Sequence, residues 1–126
     1  MRVKVKTNIV ILWYSLCGEP MLPYVVVMVT VANRDEALKI VRSLLKERLI
    51  ACANIVGPIS SIFWWKGKIE EASEFLVFMK SRENHFERLS ERVMEIHSYE
   101  VPEIIAVPII KGSQPYLEWL GDSLQK

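Results

Sequence analysis

The chain has 126 residues, which fits one domain, or one domain with an extension. Apolar side chains make up 51% and charged ones 25%, so disorder is excluded for most of its length. Sixteen basic and 15 acidic residues leave a formal charge of +1, without the basic excess of a nucleic-acid binder. Cys17 and Cys52 are too few for a disulfide scaffold or a four-thiolate zinc site. A reducing compartment, the cytoplasm, is the expected location.

Residues 1–20 differ from the rest of the chain. Arg2, Lys4 and Lys6 make a basic start, residues 9–16 are apolar apart from Ser15, and Cys17 and Gly18 come next. This is the outline of a short secretory signal. The apolar run is far below the roughly 20 residues that span a bilayer, so no membrane partner is expected. Val3 and Val5 alternate with Lys4 and Lys6, as in a half-buried strand. An N-terminal extension over 1–20, ordered as an added strand or packed segment, is the favoured reading. Met21 as the natural start is the competing one. The domain proper runs over 21–126.

Within it, Val25, Val26, Val27, Met28 and Val29 read as a central strand covered on both faces. Asn33 is a helix N-cap, with Glu36 three residues on as in a capping box. Ala37, Ile40, Val41, Leu44 and Leu45 trace one helical face that ends near Leu49. Residues 50–56 form a second strand, bent at Gly57-Pro58 and resumed over 60–65. Lys66-Gly67-Lys68 is a tight hairpin signal, and residues 69–80 return as a third strand. Phe86, Leu89, Val93 and Ile96 stripe a second helix over 83–96. Residues 104–110 give a fourth strand, which Pro108 confines to an edge or a bulge. A short helix over 114–124 closes the chain.

Strand, helix, strand, strand, helix, strand is the ferredoxin-like βαββαβ order of an α+β domain: an antiparallel sheet with two helices on one face. The other face has no cover from the chain except the extension. Ile62, Phe63, Trp64 and Trp65 lie at a hairpin tip, where a monomer leaves them wet. Such a patch predicts a homo-oligomer. The blander alternative is that the terminal helix folds over these aromatics.

Several segments resemble the CutA family, the divalent-cation tolerance proteins. They are residues 49–55 (LIACANI), 61–70 (SIFWWKGKIE), 79–81 (MKS), 97–104 (HSYEVPEI) and 116–120 (YLEWL), in family order and spacing. Ser98 stands where the family usually has proline, and residues 1–20 have no counterpart in compact members. The resemblance implies a ferredoxin-like subunit in a homotrimer. It also implies a role in tolerance to copper and other divalent ions. The assembly is similar to that of the PII signalling proteins, so a small anionic ligand or partner protein at intersubunit clefts is the competing expectation.

Cys52 is the soft-ligand candidate, because thiolates and imidazoles favour copper and zinc. His97, at a helix end ahead of a loop, is the nitrogen candidate, with Glu103 or Tyr99 to orient its second nitrogen. For Cys52 the plain alternative is a small buried side chain, and for His97 a bond to the last helical carbonyls. Trp65, Lys80 and Tyr99 are the candidates for an anion cleft between subunits. His85 reads as solvated, and Glu70, Glu71 and Glu74 as an acidic run paired to Lys66 or Lys68. With five glycines, no phosphate loop and no catalytic triad or HExxH pattern, no enzymatic activity is expected.

Overall fold

The computed structural model describes residues 2–6, 11–15 and 23–126. The two short segments, β1 (Arg2–Lys6) and β2 (Ile11–Ser15), pair antiparallel as a two-stranded sheet of their own. Cys17 and Met21, the competing candidate for the start, lie outside the described residues.

The domain follows the expected order: β3 (Tyr24–Val31), α1 (Arg34–Lys46), β4 (Cys52–Trp65), β5 (Lys68–Arg82), α2 (Phe86–Ile96), β6 (Ile104–Pro108) and α3 (Gln114–Ser123). The strands β3 to β6 form one sheet in the order β4-β5-β3-β6, with every pairing antiparallel. Among the described residues no helix is long and apolar enough to cross a membrane.

Side chains alternate across a strand, so β3 shows which face is covered. Val25, Val27, Val29 and Val31 are buried. They pack with Ala37, Ile40, Val41 and Leu44 of α1, and with Leu89 and Val93 of α2, in one core. Each of the larger aliphatic side chains contributes about 1.5–3 kcal/mol. Tyr24, Val26, Met28 and Thr30 point the other way and are only half-buried. The run is therefore not covered on both faces within the chain. One face carries the helices and the other is largely open.

The Asn33 side chain accepts the Glu36 N–H at 2.9 Å and caps α1. The helix stops at Lys46, short of Leu49, and Arg48 turns the chain out at φ 56°. β4 slips register between Val56 and Ile59, so Gly57-Pro58 is the expected bulge. β6 is an edge strand that ends at Pro108, which has no N–H to continue the ladder. A 3-10 turn, Glu83–His85, precedes α2.

α3 crosses the open face, but at the end away from the β4-β5 tip. Its Tyr116 hydroxyl lies 3.5 Å from the Cys52 thiol, and its Leu120 is buried. Trp64 stays 72% exposed, Trp65 54%, Ile62 67% and Ile69 64%. The terminal helix does not fold over the hairpin aromatics.

Candidate functional site

Two groups of polar residues stand at different levels of the sheet. The first surrounds His97, whose ring is fully buried at the end of α2. Its Nε2 donates to the Thr30 carbonyl at 2.8 Å, and its Nδ1 accepts the Tyr99 N–H at 3.0 Å. Both nitrogens are occupied, and the bonds fit a neutral ring with its proton on Nε2. The partner of the side chain is a strand carbonyl, not the last carbonyls of its own helix. The Glu36 carboxylate approaches Nδ1 to 3.3 Å and accepts from the Ser98 N–H and hydroxyl at 2.9–3.0 Å. Glu36 therefore clamps the loop after α2 to the start of α1. The Tyr99 ring tilts over the His97 ring at 4.7 Å, and its hydroxyl donates to Glu74 at 2.7 Å. Burial and the adjacent Glu74 carboxylate push the Tyr99 hydroxyl up to about 12. Glu74 is buried against this hydroxyl, not paired to Lys66 or Lys68. Glu103 is exposed, one residue before Ile104, which pairs with Val29 of β3.

The second group lies on the open face. Cys52 opens β4 opposite Lys80 of β5. Its thiol is half-buried and shares a hydrogen bond with Tyr116, which with burial raises that hydroxyl to about 12. The Lys80 ammonium donates to the Asn54 side chain.

Cys52 and His97 are not brought together within one chain. His97 bonds Thr30, which lies opposite Leu76, whereas Cys52 lies opposite Lys80. Four residues of strand separate these levels by about 13 Å. Among the described residues no three His, Cys, Asp or Glu side chains gather as a metal ion requires. With both His97 nitrogens engaged, the described residues of a single chain do not make a metal site. The cleft candidates are dispersed too. Trp65 pairs with Lys68 at the hairpin tip, about 40 Å along β5 from Lys80, and Tyr99 is tied to Glu74.

Sequence reasoning missed Glu36, Glu74, Tyr116 and the Thr30 carbonyl. Glu36 carried a signal that pointed elsewhere, to a capping box. Its carboxylate reaches Ser98, 62 residues away, which no local spacing reveals.

An antiparallel β4-β5-β3-β6 sheet with helices on one face defines the class: a ferredoxin-like α+β subunit with an open sheet face. Known relatives then give the family. Residues 25–123 match the family described as CutA1 divalent ion tolerance protein. The chloroplastic CutA of Arabidopsis thaliana is 48% identical over 101 residues, covering 80% of this chain and 56% of that protein. The divalent-cation tolerance protein CutA of Thermus thermophilus is 43% identical over 98 residues, covering 78% of this chain and 95% of that one. The crystal structure of CutA1 from Oryza sativa superposes with a TM-score of 0.81 at 42% identity, covering 84% of this chain and 97% of that one. The chain belongs to the CutA family. It spans somewhat over half the length of the two plant relatives, 56% and 59%.

Proposed function

We propose that this chain acts in divalent-cation tolerance as a cytoplasmic homotrimer, as a binding protein and not as an enzyme. Copper or another divalent ion is held weakly between subunits, with Cys52 as the anchoring ligand. The observation that carries this reading is the thiol's position. It is half-buried on the sheet face that a single chain leaves open, where a second copy can bring further donors. His97 and Glu103 are the supporting candidates, and His97 joins only by giving up its Thr30 or Tyr99 bond. The names of the relatives, divalent-cation tolerance proteins, support the same role.

Calorimetric titration of Cu(II) into the wild type, Cys52→Ala and His97→Ala tests it, with mass from light scattering. The expected result is a trimer whose affinity falls most in Cys52→Ala. Equal affinities in all three proteins would remove both residues from the site. A monomer at micromolar concentration would remove the intersubunit site.

The second reading is a small anionic ligand at intersubunit clefts. Its support is Lys80, a cation beside Cys52 on the open face, with exposed Trp65 and the Tyr99 loop as further walls. A thermal-shift screen separates the two, since a metabolite that stabilises where no metal does favours this one.

A further inference from the structure

Arg82 ends β5 with its guanidinium over the Tyr24 ring at 5.1 Å and one nitrogen 3.4 Å from the Tyr24 hydroxyl. Among the described residues no ion pair engages it, unlike Arg92, which Glu47 and Glu95 hold at 2.7 and 3.2 Å. A guanidinium carries five donors in a planar fork suited to oxyanions, and most of those of Arg82 are unspent. A cleft of about 280 Å³ opens beside it, walled by His85, Gly121, Asp122, Gln125 and Lys126. The wall is built closely. A Cβ on Gly121 would come within 2.7 Å of the Arg82 Nη2 and 2.6 Å of the Tyr24 hydroxyl. In the same wall, His85 Nδ1 is buried and, among the described residues, has no hydrogen-bond partner. A buried polar atom left unpaired is rare in native proteins and calls for a missing ligand, ion or water.

We propose that this cleft, between the end of β5 and the end of α3, binds a small oxyanion of the phosphate class. Arg82 supplies the bidentate contact, Lys126 adds charge, and the His85 ring, in the tautomer with its proton on Nδ1, donates to the anion after a turn about its broad χ2 that gives up the Gln125 backbone bond. Among the described residues Asp122 is the one carboxylate side chain in the lining, so the fixed side-chain charge of the cleft is positive. The site lies at the end of β5, two residues beyond Lys80 on the sheet face that also carries Cys52, and it shares no residue with the role proposed above.

The test is an NMR titration of the His85 ring with inorganic phosphate, methyl phosphate and chloride at constant ionic strength. His97, buried elsewhere, serves as the internal control. The expected result is a saturable shift at His85 alone, with Asp122→Asn binding tighter and Arg82→Gln weaker by roughly tenfold or more. Chloride leaves the ring unmoved. Methyl phosphate binding as tightly as phosphate assigns an esterified ligand, and a preference for inorganic phosphate assigns the free ion. No saturable shift, an equal response to chloride, or unchanged binding by Arg82→Gln would overturn the proposal. If Arg82→Gln fails to fold, His85→Phe decides by thermal shift. Phosphate stabilisation equal to that of the wild type would then remove His85 from the site.

Discussion

Glu74 keeps a carboxylate buried on β5 because the Tyr99 hydroxyl donates to it. Removing that donor leaves a buried acceptor unpaired, which costs about 1–3 kcal/mol. Tyr99→Phe is expected to lower the unfolding free energy by that amount at unchanged slope, read by urea unfolding. The phenol also carries a pH signature. Its folded value is raised to about 12 from 10, so the associated stability is complete below pH 10 and is lost as pH rises through about 12. A phenolate absorbance titration should find Tyr99 and Tyr116 ionising above the ordinary phenol value of 10. His85 runs the opposite way. Burial, and next the Arg82 charge, lower it below 6.5, while a Gln125 backbone hydrogen bond pulls it up. Unfolding then takes up a proton as pH falls below 6.5, so stability held above that value is lost on acidification. His85→Gln should flatten the melting temperature between about pH 7 and 5. A slope equal to that of the wild type would show that another group sets it.

The elements themselves were largely legible, because each rests on local periodicity. The α1 face, apart from Leu45, which is exposed, and the α2 stripe face the core as their spacing implies. The bulge at Gly57 and the edge position of Pro108 follow from what those residues cannot do. What local reading could not see was the neighbour across the bulge. A Cβ on Gly57 would meet the Phe75 ring at 2.5 Å, so Gly57→Ala should cost about 1–3 kcal/mol, measured by chemical denaturation. A variant as stable as the wild type would mean that Phe75 yields freely. The start of α1 had the same blind spot. Asn33 caps it as its type suggests, but the Glu36 carboxylate turns to Ser98 and His97. Asn33→Ala is expected to cost about 1 kcal/mol through the cap alone, read by the same denaturation.

At the scale of the molecule, the open sheet face and the wet hairpin aromatics dominate. With Trp64 and Trp65 exposed in the single chain, their truncation should barely change the fold of a protomer. Buried in an assembly, each is worth about 3–5 kcal/mol. Trp64→Ala combined with Trp65→Ala should therefore lower the mass seen by light scattering and the melting temperature together. A mass unchanged from that of the wild type would place these rings outside the interface.

Strand and helix order, the bulge, the edge strand and the surplus of apolar surface were written in the sequence, because each depends on residue type and on neighbours a few positions away. Only the tertiary structure decided which polar side chains meet. Antiparallel pairing and helix packing set Cys52 beside Lys80 and Tyr116 in one place, and His97 with Thr30, Glu36 and the Tyr99–Glu74 pair in another. Those contacts mostly join residues far apart in the chain. Their geometry comes from strand register and the crossing of layers, and a one-dimensional pattern carries neither.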